Sequence, residues 1–167
     1  MIGSEEFRSA LASVCAPVTV VTAMDDARPH GTTVSAFSSL SLQPPLIMVA
    51  LDRDSDLLAI VRDARKFGVN LLTHFQDELA LRFAKKGRNK FSGVQWRAEN
   101  GVPRLMAGSG WLACELHDMV HAGDHEIAIG LVVAAEPIGG APLIYQNRKF
   151  GTHSLFVTAN APESVNA

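Results

Sequence analysis

The chain has 167 residues, 47% hydrophobic and 19% charged, a length and composition that fit one globular domain with a full core. Its formal net charge of -2 and pI of about 6.3 provide no clustered excess of Lys and Arg, which argues against a nucleic-acid partner. The start is acidic and no apolar run reaches the roughly 18 residues that a membrane helix needs, so we expect a soluble, cytoplasmic protein without a membrane partner.

The first predicted element is a short helix near the start of the chain. Ser4 is a candidate N-cap, and acidic residues follow it in the first turn. Phe7, Leu11 and Val14 are spaced along one helical face. We expect this helix to end before Pro17.

Strand patterns dominate the next part of the chain. The β-branched run over 18–23 and the segment 32–37 predict a hairpin, with a turn over 25–31 between them. The apolar run that follows Pro44 and Pro45 and ends at Asp52 predicts a strand buried on both faces. The remaining predicted elements are a helix over 56–64 capped by Ser55, a strand over 66–72, a helix over 76–86, strands over 111–117 and 125–135 around a turn at Gly123, and short strands over 143–146 and 154–157.

Many short strands and few helices indicate a mostly β fold, a closed or nearly closed antiparallel barrel. We expect a single domain over residues 1–157 and a disordered tail over 158–167. Cys15 and Cys114 stand in apolar stretches, so both are predicted to be buried thiols without a disulfide.

Two motifs suggest sites that their context does not favour. Residues 108–113, GSGWLA, match a dinucleotide fingerprint, but that fingerprint needs a helix after it and an alternating strand pattern follows here. His117, His121 and His125 are spaced four apart, which on one helix would suit a zinc-dependent hydrolase. Gly123 and the period-two pattern favour a strand, a turn and a second strand, so we expect no metal there and keep the hydrolase as a remote alternative.

A hydroxyl-rich segment is more informative. Four serines and two threonines follow Gly31 within eleven residues, interleaved with apolar anchors. Such a segment can present hydroxyls and backbone N–H groups to a heteroaromatic ligand or to its phosphate. Ser55 at a helix start and the basic segment 85–91 add two candidate anion contacts.

From about Phe7 to Phe156 the chain resembles the short-chain flavin reductases, which are FMN-binding split-barrel proteins and the reductase components of two-component flavin-dependent monooxygenases. The resemblance is carried by 31–41 with the following prolines, by 82–96, by GDH at 123–125 and by 143–150. It implies an antiparallel FMN-binding split β-barrel, a homodimer, and NAD(P)H-dependent reduction of FMN or FAD. Reduced flavin would pass to a partner monooxygenase.

The resemblance also assigns roles by position. The stretch from Thr32 to Ser39 would lie along the flavin ring and ribityl chain. The residues implied in cofactor binding are Thr32, Thr33, Val34 and Ser35 at the ring, Ser38, Ser39 and Ser55 at the phosphate, Lys90 and Phe91 in a loop closing over it, and Arg148 in the same cleft. His125 would be the catalytic residue that orients the nicotinamide.

One departure from the family pattern concerns the phosphate end. Asp52, with Asp54, places carboxylates where related sequences are often uncharged. Like charge weakens anion binding, so flavin affinity or the preference between FMN and FAD is expected to change. A flavin-holding electron carrier or sensor on the same fold stays open as an alternative.

Overall fold

The computed structural model describes residues 2–87, 89–106 and 110–154. Its helices are α1 (Ser4–Ala12), α2 (Asp56–Ala64) and α3 (Asp77–Ala84). Its strands are β1 (Ala16–Pro17), β2 (Thr19–Asp25), β3 (Arg28–Val34), β4 (Phe37–Leu42), β5 (Pro45–Asp52), β6 (Lys66–Leu71), β7 (Trp96–Glu99), β8 (Val102–Leu105), β9 (Gly110–Ala122), β10 (His125–Glu136), β11 (Ile144–Gln146) and β12 (Lys149–Gly151). None of these helices is long and apolar enough to cross a membrane.

Seven strands form the main sheet, in the order β3-β2-β6-β9-β10-β5-β4, and all its pairings are antiparallel. Its two edge strands, β3 and β4, are consecutive in the chain and are joined only by residues 35–36. A link of this length spans no more than about 11 Å, so the sheet must curl until its edges approach each other. Contact between β3 and β5 reflects that curling. The expected mostly β, antiparallel fold class is confirmed.

Two of the three clusters of buried side chains in the described residues pack the helices against the curled sheet. The first lies between the sheet and α2, where Leu57, Leu58 and Val61 meet Phe67 and its neighbours. The second joins Phe83 of α3 to buried residues of the sheet and of the β7–β8 region. Because each helix buries one apolar face, α2 and α3 are both fixed against the strands that border the cavity described below.

The start of the chain departs from the sequence predictions. Helix α1 forms, but Gly3 is its N-cap and Ser4 is already helical. None of the residues of α1 is buried, and the stripe of Phe7, Leu11 and Val14 is exposed in the single chain. Cys15 is also exposed, so the prediction of two buried thiols is wrong for Cys15. Cys114 is buried, and this burial raises its pKa to about 12.

The first hairpin is tighter than predicted. Residues 28–31, assigned to a turn, belong to β3, and the turn is at Asp26 and the following residue. Asp26 has a φ of 53°, a conformation that Asp tolerates better than most residues. The predicted strand 32–37 is interrupted after Val34, so the hydroxyl-rich segment is divided between β3 and β4.

Strand β5 begins at Pro45 and ends at Asp52, as expected, but it is not buried on both faces. Ile47, Val49 and Leu51 are buried, while the residues that alternate with them are half-buried in the single chain. Strand β10 begins at His125 and the turn before it contains Gly123 with a φ of 66°, as the alternating pattern predicted. Ser154 is not in a strand, and the rest of the predicted strand 154–157 and the tail 158–167 lie outside the described residues.

Candidate active site

A cavity of about 590 Å³ lies beside the seam where β3 meets β4 and β5. Its lining comes from the end of β3 and the link to β4, from the end of β5 and the start of α2, from the end of α3 with the loop after it, and from the start of β10. The lining residues are His30, Thr32, Thr33, Val34, Ser35, Ala36, Ala50, Leu51, Asp52, Asp54, Ser55, Asp56, Ala84, Lys85, Lys86, Gly87, Lys90 and His125.

Strand β3 forms one wall and is attached to the carboxyl end of α3. The Thr33 hydroxyl donates to the Ala80 carbonyl at 2.6 Å, and the Thr32 hydroxyl donates to the Phe83 carbonyl at 3.4 Å. Gly31 allows this approach, because a Cβ there would lie 3.1 Å from the Phe83 ring. Since β3 is an edge strand, alternate backbone groups on its outer side are left for a ligand.

Lys90 lies in the loop after α3 and lines the cavity. Its Nζ donates to the carbonyl of Phe83 at 2.9 Å and to that of Gly31 at 3.1 Å. A cation at the end of a helix stabilises carbonyls that have no partner within the helix. Burial lowers the pKa of Lys90, and the charge of Asp56 acts in the opposite direction. Two further lysines, Lys85 and Lys86, line the same side.

A tight turn between β5 and α2 forms the opposite side of the cavity. The Asp52 carboxylate accepts a hydrogen bond of 2.8 Å from the N–H of Asp54, and the Asp52 carbonyl accepts one of 3.0 Å from the N–H of Ser55. Ser55 is the N-cap of α2 but its side chain makes no capping hydrogen bond. The predicted cap position is therefore right, and the side chain lines the cavity with Asp56.

His125 stands at the mouth of the cavity, at the first residue of β10 and opposite Asp52 in the sheet register. Its Nδ1 lies 2.7 Å from a carboxylate oxygen of Asp124. This contact lowers the pKa of Asp124 below the usual range for Asp. The Arg53 N–H donates to the Asp124 carbonyl at 3.1 Å, so the β9–β10 turn and the turn before α2 are joined.

The structure brings together eight of the twelve candidate site residues. These are Thr32, Thr33, Val34, Ser35, Asp52, Ser55, Lys90 and His125. The other four do not line this cavity in the single chain. Ser38 and Ser39 are exposed on β4, and Arg148 is exposed in the β11–β12 turn. Phe91 packs edge-on against Phe83 and Trp96, so its ring stabilises the loop without lining the cavity.

Other lining residues were not singled out from the sequence. Lys85 and Lys86 belong to the basic segment predicted to contact an anion, but neither had a role of its own, and Asp54 was predicted only to add negative charge beside Asp52. His30 and Asp56 carried no recognisable motif, and only the folded hairpin and the start of α2 bring them together.

The three histidines of the hydrolase alternative do not form one site. His117 and His121 lie on β9, where His121 contacts Glu126, while His125 contacts Asp124. Across residues 2–87, 89–106 and 110–154, no group of three or more His, Cys, Asp or Glu side chains is arranged to hold a metal ion.

The dinucleotide fingerprint at 108–113 lacks the helix that it requires, because a strand, β9, begins at Gly110.

A sequence model described as "Flavin reductase like domain" matches residues 11–154 of this chain. The chain belongs to this family. It is 37% identical over 146 residues to the reductase component of a 4-nitrophenol 4-monooxygenase/4-nitrocatechol 2-monooxygenase from Rhodococcus opacus, covering 87% of this chain and 79% of the relative. It is also 37% identical over 156 residues to an NADH:riboflavin 5'-phosphate oxidoreductase from Streptomyces pristinaespiralis, covering 90% of this chain and 89% of the relative.

A solved structure agrees with this membership. The flavin reductase component of a bacterial two-component tryptophan halogenase superposes with a TM-score of 0.82 at 32% identity, covering 90% of this chain and 98% of that one. The family that the sequence resembled, and the class of NAD(P)H:flavin oxidoreductase that it implied, are therefore confirmed.

Proposed function

We propose that this flavin reductase-like protein reduces a flavin, FMN preferentially and FAD as a second choice, with NADH or NADPH, and supplies it to a partner monooxygenase. The observation that carries this proposal is the 590 Å³ cavity, which combines an edge strand, a helix N-terminus and a basic loop. Its relatives include an NADH:riboflavin 5'-phosphate oxidoreductase and a reductase component of a monooxygenase. A bound flavin would supply the hydride acceptor for NADH or NADPH.

The wall formed by β3 suits a flat ring with hydrogen-bonding edges. Outward backbone groups of this edge strand, around Thr33 to Ser35, are available to the polar edge of an isoalloxazine. Val34 and Leu51 both line the cavity and are buried in the core, so the wall is rigid. The hydrogen bonds from Thr32 and Thr33 to α3 keep the strand in position.

The phosphate group of FMN fits between the basic loop and the start of α2. Lys85, Lys86 and Lys90 supply positive charge, and the N-terminus of α2 at Ser55 supplies backbone N–H groups. The Nζ of Lys90 donates two hydrogen bonds to carbonyls, which leaves its third proton for a phosphate oxygen. From this arrangement we expect a preference for a phosphorylated flavin over riboflavin.

His125 is the residue that we assign to the nicotinamide. It is half-buried and lines the cavity, and its Nδ1 is within hydrogen-bond distance of the Asp124 carboxylate. From that position the imidazole can hold the nicotinamide carboxamide while the hydride passes to the flavin, without itself acting as an acid.

Reduced flavin must leave the cavity to serve a partner enzyme, so its binding has to be moderate. Asp52, Asp54 and Asp56 line the cavity together with the lysines and offset part of their attraction for a phosphate. The flavin is therefore a diffusing substrate more than a permanent group. Because NAD(P)H is the reductant, we place this reaction in the cytoplasm.

We also propose a homodimer. The apolar stripe of α1 and the side chains of Leu40 and Leu42 on edge strand β4 are exposed in the single chain, with Leu42 78% exposed. Exposed apolar side chains of this kind are commonly covered in an oligomer.

Free flavin should accelerate NADH oxidation by the purified protein. We expect turnover with added FMN to exceed turnover without it, because each catalytic cycle releases the reduced flavin. Steady-state rates with NADH or NADPH against FMN or FAD measure both preferences. If one equivalent of flavin is reduced and added FMN produces no further turnover, the protein is an electron carrier or sensor.

Replacement of Lys90 by Ala should weaken FMN binding by about 1–3 kcal/mol, the range for a lost charge-assisted hydrogen bond. Riboflavin binding should change much less, since riboflavin has no phosphate. Fluorescence titration with both flavins gives the comparison. Lys66→Ala is the matched control, because Lys66 is an exposed lysine that pairs with Glu115 and does not line the cavity. Equal losses for FMN and riboflavin would exclude the phosphate contact.

His125→Ala should leave FMN affinity nearly unchanged while it raises the KM for NADH, lowers kcat, or does both. The protein should still fold, because a half-buried residue at a strand end contributes little to the core. His117→Ala controls for loss of a histidine from the same hairpin, since His117 is exposed on β9 outside the cavity. Normal kinetics with a lowered melting temperature would show that His125 has only a structural role.

Light scattering should give a molar mass of twice the 17.9 kDa of one chain. We expect this because the exposed apolar side chains of α1 and β4 favour association. A stable monomer with full activity would contradict the homodimer.

A further inference from the structure

A second, smaller cleft adjoins the candidate active site. It has a volume of about 220 Å³ and lies between the β2–β3 hairpin and the outer side of α2. Its lining residues are Asp25, Arg28, Pro29, His30, Asp56, Ala59 and Ile60. His30 and Asp56 line both spaces, so the two adjoin at these side chains.

The lining of the small cleft combines an apolar surface with charged side chains at its rim. Pro29, Ala59 and Ile60 provide the apolar surface. Arg28 and Asp25 face each other at 3.5 Å, and both side chains are largely exposed. An exposed ion pair at this distance contributes little to stability. Arg28 and Asp25 can therefore separate, and each can bind a ligand instead.

These features suit the adenylate part of a nucleotide. A purine is a flat heterocycle that packs on apolar side chains, a ribose diol donates hydrogen bonds to a carboxylate, and a phosphate accepts them from an arginine. Pro29, Ile60, Asp25 and Arg28 offer each of these chemistries within one cleft.

The position of the small cleft relative to the phosphate end of the large cavity adds a second argument. The flavin phosphate is assigned to the start of α2, and Asp56, the first residue of that helix, lines both spaces. In FAD the adenylate half continues from this phosphate, whereas in NAD(P)H it continues from the nicotinamide nucleotide. The covalent link between the two halves of FAD therefore directs the adenylate half past Asp56 towards the small cleft.

We propose that this small cleft binds the adenylate half of a dinucleotide, either FAD or NAD(P)H. The proposal rests on the proposed function, because it takes the large cavity as the flavin site. It makes the residues between the β2–β3 hairpin and α2 determinants of which nucleotide is used.

Ala59→Trp tests the proposal by filling the cleft from the exposed side of α2. We expect the Kd for FAD or the KM for NADH to rise by roughly tenfold or more, while the Kd for FMN is unchanged. A rise for FAD alone identifies the flavin dinucleotide as the occupant, and a rise for NADH alone, with FMN as acceptor, identifies the nicotinamide dinucleotide. Ala64→Trp is the matched control, because Ala64 is exposed on the same helix and lines neither space.

AMP provides a second measurement that does not depend on catalysis. AMP should bind the wild-type protein and compete with the same dinucleotide, and Arg28→Ala and Ala59→Trp should both weaken its binding. Unchanged FAD and NADH parameters in Ala59→Trp, or equal losses for FMN, FAD and NADH, would overturn the proposal. Absence of FMN-dependent turnover in the wild-type protein would instead refute the proposed function, so the two failures are distinguishable.

Discussion

Attachment of the edge strand β3 to the carboxyl end of α3 is the contact on which the cavity depends. Helix carbonyls in the last turn have no partner within the helix, and here the Phe83 carbonyl accepts hydrogen bonds from Lys90 and Thr32. Lys90 reaches the Gly31 carbonyl as well, so a single cation joins the helix, the strand and the loop. Lys90 also faces the space assigned to the phosphate. The residue that holds the wall of the cavity in place is therefore also the one assigned to the ligand.

Much of the fold could be predicted because its long elements have clear periodicity. Strand β10 begins at the predicted residue, His125, and α2 begins directly after the predicted cap, Ser55. Short strands were missed for a physical reason: β8 contains Pro103, and β1 is only two residues long, so neither has a pattern that propensity can detect. Exposure of Cys15 could not be predicted either, since apolar neighbours in sequence do not determine which face of an element is covered.

The site was partly predictable, because the resemblance assigned residues by position in sequence. It identified Thr33, Lys90 and His125, which come from three separate parts of the chain and meet in one cavity. It did not identify His30, because a histidine in a hairpin belongs to no motif. His30 comes to line the cavity only when the sheet curls. Nor could sequence alone indicate that Ser38 follows the exposed edge of β4, outside the cavity.

Charges of both signs line the cavity in equal number, with lysines at 85, 86 and 90 and aspartates at 52, 54 and 56. At distances beyond a Debye length, about 8 Å at physiological ionic strength, such a set has little net field. An anionic flavin therefore approaches by ordinary diffusion, without the electrostatic steering that a uniformly basic cleft provides. The lysines attract the flavin phosphate only at short range, where the phosphate is much nearer to them than to the aspartates. The same attraction is lost over that short distance when the reduced flavin departs.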